Sequence, residues 1–403
     1  MVTNTKGAEM TVKKPKDPYT DFEKEIDIEE FKESILNYFG SIDDPRMSCN
    51  LTYKLEHIFF IILSAMIAGA NSINQIYVFA QAKERWIKDL IPISKIPSYG
   101  VFWWILVRTK PEFLKQLLSE WLDTLPNGLK DQILNIDGKC LRGTQNKPLR
   151  NPTLHLVSLF AAESGIILAQ QAVAAKSNEI TAIPKVLDQI DIQGAIITSD
   201  AMGCQKNIAK LICDSNADYM LALKGNQESL ADEVENYFTQ ADAINFEGVE
   251  CDAIGAKDTG HGRIEKREIY VTEDIDWLPQ KEEWSNLKSI IMVKSNRRLL
   301  SSPTASEKRY YISSLPAQAF RIANIIRKHW KIENNLHRQL DINFEEDRSV
   351  AHTGFAAENL ATFRRLALNI LGSGKGLLER RRKAAWNEEY LTILVSKFFI
   401  KSF

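Results

Sequence analysis

The chain has 403 residues, enough for two or three domains and a sizeable core. With 44% hydrophobic and 26% charged residues it has the make-up of an ordinary globular protein, which excludes a disordered or fibrous chain. A formal charge of −1 excludes a uniformly basic nucleic-acid binder, yet from Arg321 onward there is an excess of roughly six positive charges, suited to phosphate.

The first residues, up to about Asp27, are rich in Lys, Asp and Thr and predict a flexible lead without the apolar core of a secretion signal. Residues 28–125 predict a helical N-terminal domain. Its helices are Phe31 to Phe39, Leu55 to Ala68, Ile73 to Ala82, Gly100 to Val107 and Pro111 to Leu125. The apolar run Ile58 to Ala70 is too short to span a bilayer and predicts a buried helix, so no membrane partner is expected. Leu125-Pro-Asn-Gly128 reads as a turn and a domain boundary.

Beyond it the pattern changes to short apolar runs. Ile133 to Ile136, Leu154 to Ala161 and Ile166 to Ala174 predict strands, the last two joined by a hairpin turn at Glu163-Ser-Gly165. A helix from Glu179 to Ile190, a strand from Ala195 to Thr198, a helix from Gln205 to Ser215 and a strand from Tyr219 to Leu223 follow, which makes a mixed α/β sheet. Residues 225–319 read as strand-rich, with Arg263 to Val271, Ser289 to Lys294 and Arg309 to Ser313 the clearest strands. Then come a helix over 327–341, another from Ala356 to Leu371, and a basic tail over 372–403 with Arg380 to Lys383 and an apolar end. Cys49, Cys140, Cys204, Cys213 and Cys251 are odd in number and form no Cys-x-x-Cys pair, which speaks against a disulfide framework or zinc knuckle and for a reducing cytoplasm.

The chemistry concentrates in three places. His329, Glu333, His337 and Asp341 recur every fourth residue of one helix, and in projection Glu333 lies between Ile326 and Leu340 on an apolar face. A carboxylate there needs a partner. Asp137 follows the strand Ile133 to Ile136, and Asp200 follows the strand Ala195 to Thr198; strand ends of this kind open into the crevice where α/β sheets bind ligands. A lone strand-end Asp is usually a turn or cap, but two, with Glu333 as a third carboxylate, fit a hard ion, Mg²⁺ or Mn²⁺. Two such ions about 3.5–4 Å apart serve phosphodiester chemistry. Lys139, Arg142, Lys224 and Arg263 then suit phosphate. A zinc site on the histidine stripe is the weaker alternative because the His-Glu-x-x-His order is absent, and a solvated ion-pair face is the bland one. Gly372-Ser-Gly-Lys-Gly376 lacks the spacing of a phosphate loop and reads as a linker, while the arginine block at 380–383 reads as a solvated face within reach of DNA.

Together these motifs resemble the DDE transposases of bacterial insertion sequences, in the group of the H-repeat-associated proteins. Asp44-Pro-Arg46, Ile67-Ala-Gly-Ala70 and Ile96-Pro-Ser98 resemble its helical N-terminal domain. Ile136-Asp-Gly-Lys-Cys-Leu-Arg-Gly143, Thr198-Ser-Asp-Ala201 and His329-Trp-Lys-Ile-Glu-Asn334 resemble its three catalytic motifs. Leu223-Lys-Gly-Asn-Gln227, His261-Gly-Arg263, Phe344-Glu-Glu-Asp347 and Asn359-Leu-Ala361 with Arg364-Arg365 extend the likeness. The resemblance implies a ribonuclease-H-like core with a strand-rich insertion at about 225–319, in a catalytic domain over 129–371. It implies a metal-binding triad of Asp137, Asp200 and Glu333, holding two Mg²⁺ or Mn²⁺ ions. It also implies hydrolysis of double-stranded DNA at the element's terminal repeats, attack of the freed 3′-hydroxyl on target DNA, and a homodimer on DNA. Arg327, His329, Arg338, Arg364 and Arg365 join the expected DNA contacts.

Six positions depart from the family pattern. Broader relatives carry Tyr and Arg before the catalytic Glu and Lys after it, where this chain has Ile326, His329 and Leu340. Arg338 stands where the group has Trp, and Val350 and His352 lie in a segment that is more basic elsewhere. The alternatives are an element-derived DNA-binding protein without catalysis and a nuclease without strand transfer.

Overall fold

The computed structural model describes residues 30–34, 52–122, 129–145, 153–173, 177–260, 263–299 and 305–399. The expected N-terminal lead and the turn at 125–128 lie outside them. A helical stretch at residues 30–34 is followed by α1 (Leu55–Ile67), α2 (Ile73–Ala82), α3 (Glu84–Leu90), α4 (Tyr99–Arg108) and α5 (Pro111–Leu122). Every residue of α1 but Glu56 is buried, as a mostly apolar sequence requires. It packs against α11 (Ala356–Leu371), a helix likewise buried on nearly every side, and Phe59 meets Phe363 edge-on at 5.4 Å.

The tail is part of this helical layer. Its helices α12 (Leu377–Trp386) and α13 (Glu388–Phe399) share the core of α1 and α11, and Trp86 Nε1 donates to Thr392 Oγ1 at 3.0 Å. Arg381 is buried, with its guanidinium on the carbonyls of Met66 and Ala70 and over the ring of Phe344. One member of the expected solvated arginine block is therefore a tie between the two ends of the chain. Among the described residues no helix is long and apolar enough to cross a membrane.

The second layer is one nine-stranded sheet in the order β3-β2-β1-β4-β5-β9-β8-β7-β6. Its strands are β1 (Ile133–Leu141), β2 (Leu154–Ala161), β3 (Ile166–Ala172), β4 (Ile196–Ser199), β5 (Asp218–Leu223), β6 (Asp252–Gly260), β7 (Arg263–Thr272), β8 (Ser289–Leu299) and β9 (Ala305–Ser313). β1, β4 and β5 run parallel and every other pairing is antiparallel. This is the expected α/β, ribonuclease-H-like mixed sheet preceded by helices. The crossover helices α6 (Glu179–Leu187) and α7 (Lys206–Asp214) flank β4 in sequence. The strand-rich insertion continues the same sheet, because β9 pairs with the edge of β5. It also holds a helix that the strand-rich reading passed over, α8 (Glu228–Ala243), whose Leu230, Val234, Phe238 and Ala241 mark its buried face.

Candidate active site

β1 is longer than its apolar run. It continues through Asp137 to Leu141 because β2 pairs with it as far as Leu141↔Leu154. β4 pairs with β1 only from Ile133↔Ile196 to Ile136↔Ser199. Asp137 and Asp200 are the next residue on each strand, one rung beyond the parallel ladder. The apolar run that predicts the strand ends at Ile136; the antiparallel neighbour carries the strand further.

Each aspartate is held by local backbone. Asp137 Oδ1 accepts from the N–H of Gly138 at 2.8 Å, and its Oδ2 lies 3.1 Å from His337 Nε2. Asp200 Oδ1 accepts from the N–H of Met202 at 3.0 Å and so caps the turn Ala201–Gly203. Burial pushes the Asp200 carboxyl above its usual range, the charge of Asp137 adds to this, and the N–H groups of Met202 and Gly203 oppose it.

Two residues back on the same strand faces, a polar network pins the incoming helix. Asn135 Nδ2 donates to the carbonyls of Lys328 at 2.8 Å and His329 at 3.2 Å, at the C-terminus of α9 (Ala319–His329). That fixes the amide orientation, so Asn135 Oδ1 accepts from the Thr198 hydroxyl at 2.8 Å. The hydroxyl's proton is then spent, and the contact at 2.9 Å with His329 Nδ1 requires that nitrogen to donate. Burial lowers the His329 pKa despite Asp137 and Asp200 nearby, consistent with a neutral ring. His329 thus anchors the helix to β4; its free phosphate-contacting role is not what its geometry provides.

The helix over 327–341 is not one regular α-helix. After α9 the chain forms a π-helical segment, Ile332–His337, and then α10 (Arg338–Asn343). Ile332, Leu336 and Leu340 bury one face, while Glu333 is exposed. The projection that set Glu333 between Ile326 and Leu340 assumed a uniform α-helical repeat, and the change to i→i+5 bonding rephases it. Glu333 precedes His337, the residue that reaches Asp137, by four positions.

A different carboxylate adjoins the aspartates. Glu179 opens α6, and a Cβ built on Gly138 would stand 2.2 Å from its carboxyl group, so a side chain there would displace that carboxyl group. Burial raises the Glu179 carboxyl, with further contributions from Asp200 and Asp137 against a smaller opposing one from His337. No motif in the sequence marks Glu179, and Asn135 and Thr198 carry no assigned role there, although they are polar positions two before each aspartate in otherwise apolar strands.

The expected phosphate contacts divide. Arg142 is 84% exposed, and Lys224, Arg327 and Arg338 are exposed. Lys139 is buried against Asp341, at 2.6 Å, and Asp347, at 3.6 Å. Arg263 begins β7. Arg364 and Arg365 are fully buried in α11, which corrects the expectation that they contact DNA. Arg365 pairs with the equally buried Glu346 at 2.8 Å, and Arg364 donates to the Asn71 carbonyl at 3.0 Å. They sit on a helix with no solvent face.

Residues 128–370 match the family model described as "Transposase DDE domain", and residues 36–122 match the one described as "DDE_Tnp_1-associated". The chain belongs to the DDE transposase family. It is 35% identical over 368 residues to "Putative transposase YncI" of Escherichia coli O157:H7, covering 89% of this chain and 93% of that one. It is 32% identical over 372 residues to "H repeat-associated putative transposase YhhI" of Escherichia coli K12, covering 90% and 97%. A cryo-EM structure of a piggyBac transposase synaptic complex with hairpin DNA superposes with a TM-score of 0.41 at 10% identity, covering 92% of this chain and 77% of that one.

This family implies a divalent metal, and the donor chemistry of the site fits one. Asp137, Asp200 and Glu179 offer only oxygen, which suits a hard cation. Among the described residues none of the three has a Lys or Arg ion-pair partner. Ser158, opposite Asp137 across the β1–β2 ladder, has a buried hydroxyl without a hydrogen bond. The groups are not closed around one point: among the described residues no three His, Cys, Asp or Glu side chains converge as a ligand set.

Proposed function

We propose that this protein is an insertion-sequence transposase that cuts double-stranded DNA at element ends and joins them to target DNA. The observation that carries the reading is the placement of Asp137 and Asp200 one rung beyond the β1–β4 ladder, within a chain of this family. Asp137 and Asp200, with Glu333, would hold Mg²⁺ or Mn²⁺, which when bound activates a nucleophile and stabilises a leaving oxygen.

The chain's own residues prepare that site. The Gly138 N–H and His337 fix both oxygens of Asp137, and the Met202 N–H fixes one of Asp200. The Asn135–Thr198–His329 network holds the Glu333-bearing helix against the two strands. Arg142, Lys224, Arg327 and Arg338 are exposed cations that would meet phosphates, and a homodimer would pair two ends.

The exposure of Glu333 favours a second reading, an element-derived DNA-binding protein without catalysis. One experiment separates the two: incubation of the wild type and of Asp200→Ala with the terminal repeats in Mg²⁺ or Mn²⁺. Cleavage by wild type alone supports the enzyme, and joined products in target DNA add strand transfer. Binding of the ends without nicking by wild type removes the catalytic reading.

A further inference from the structure

Three carboxylates of this site are already within electrostatic reach of one another, and the third is not the one the family pattern supplies. Glu179 comes from the first turn of α6, which packs on β2 and β3, and its carboxyl group lies beside Gly138 of β1. Gly138 is the hinge of the arrangement. Its N–H takes Asp137 Oδ1 at 2.8 Å, and the space where its side chain would be holds the Glu179 carboxyl group. One backbone residue therefore touches both acids.

Nothing else in the structure explains Glu179. It opens a helix, but Asn178 in the cap position makes no side-chain cap bond, and Glu179 has no ion-pair or hydrogen-bond partner among the described residues. Half-burying a carboxylate beside two others is unfavourable without a cation. The neighbouring histidine is already committed: His337 Nε2 faces Asp137, and its Nδ1 is buried without a partner. Glu333, by contrast, is exposed and makes none of these contacts.

We propose that Glu179 is a metal ligand of this centre, completing with Asp137 and Asp200 an oxygen-only site for Mn²⁺ or Mg²⁺ in the DNA-free protein. The inference rests on the reading of Asp137 and Asp200 as metal ligands. Glu333 then closes the site only once DNA is in place. Mutual repulsion of acids without a cation accounts for the gap in convergence noted above, and closing it on an ion requires rotation of the Glu179 side chain.

Mn²⁺ binding to the full-length, DNA-free protein, measured by calorimetry and by the electron paramagnetic resonance of free Mn²⁺, tests the assignment. Wild type, Asp200→Asn, Glu179→Gln and Glu179→Asp are compared, each with its melting temperature in chelator. The expected result is a loss of about tenfold or more in Mn²⁺ affinity for Glu179→Gln, with a metal-free melting temperature at or above that of wild type. A purely structural glutamate would instead lower the melting temperature and leave the affinity alone. If Asp200→Asn abolishes binding while Glu179→Gln binds like wild type, Glu179 is not a ligand and the aspartate reading stands. If wild type binds no Mn²⁺, both readings fall together. Should Glu179→Gln not fold, Glu179→Asp decides: its charge is kept but withdrawn by one methylene, so unchanged affinity overturns the proposal and weakened affinity supports it.

Discussion

Asp137 and Asp200 stand side by side because two parallel strands stop pairing at the same rung, Ile136↔Ser199. Neighbouring strands lie about 4.8 Å apart, so the two carboxylates begin a short distance from each other and have nowhere to separate without leaving the sheet. The Asp200 carboxyl is raised by burial and then by Asp137. Replacing either acid by Asn keeps the local hydrogen bonds to Gly138 or Met202, since the amide oxygen still accepts, and removes one charge. Asp137→Asn and Asp200→Asn are therefore expected to melt at or above the wild-type temperature in chelator and to lose the stabilisation that Mn²⁺ gives wild type. Thermal unfolding with and without Mn²⁺ measures both; a fall in the chelator melting temperature would show that the pair is not repelling.

The pair Glu346–Arg365 behaves in the opposite way. Both side chains are fully buried and joined at 2.8 Å. Burial alone would raise the Glu346 carboxyl, but Arg365, Arg364 and Lys139 outweigh it and hold it below the usual range. Glu346→Ala leaves buried guanidinium charge behind and is expected to cost about 3–5 kcal/mol, while Glu346→Leu combined with Arg365→Met costs less than either single change. A depressed folded-state pKa makes the contribution fully present above the unfolded value of about 4.3 and lost as pH falls through the folded value. Urea titrations at neutral pH and in steps below pH 4.3 should show the wild type losing this increment and the double variant losing less.

The fold was legible where one periodicity ruled a segment. α2 and α11 fall at the residues their apolar spacing predicts, and β2 at its apolar run, because in each the buried positions follow one local periodicity. Legibility failed where pairing or packing with a distant segment decided. β1 runs past Ile136 because β2 pairs there, and Arg364 and Arg365 look like a basic patch until α11 is seen enclosed by α1, α4, α5 and the tail. The aspartates could be read as strand ends, but Glu179 could not: its neighbours Asp137 and Asp200 are distant in sequence, and only the glycine that makes room for it hints at the contact.

DNA contacts follow from which cations remain free. Arg142 is mostly exposed with Asp347 only at 3.8 Å, and Lys224 is exposed, whereas Lys139 is buried against Asp341. A lysine or arginine that neutralises one phosphate contributes about 0.9 to the slope of log affinity against log salt. Arg142→Ala and Lys224→Ala should each lower that slope by about one on double-stranded DNA. Arg365→Met, combined with Glu346→Leu to keep the net charge of the core unchanged, should leave that slope unchanged. Equal slopes in all three proteins would mean that the DNA lies elsewhere.

Glu333 tests how the π-helical segment serves the chemistry. In the DNA-free protein its side chain is exposed, while His337 of the same segment is already against Asp137 at 3.1 Å. A π segment holds one residue more per loop of hydrogen bonding than an α-helix, and a return to α-helical bonding would turn Glu333 about the axis relative to His337. Glu333→Gln should therefore leave Mn²⁺ affinity in the absence of DNA within about twofold of wild type, because the site there is Asp137, Asp200 and Glu179. Cleavage of terminal-repeat DNA should nonetheless fall by at least about a hundredfold, as removal of one charge-stabilising group at a reacting centre does. Mn²⁺ binding measured with and without the DNA ends separates the two stages. If Glu333→Gln weakens DNA-free binding as much as Glu179→Gln does, Glu333 reaches the aspartates without help from DNA and the staged assembly is wrong.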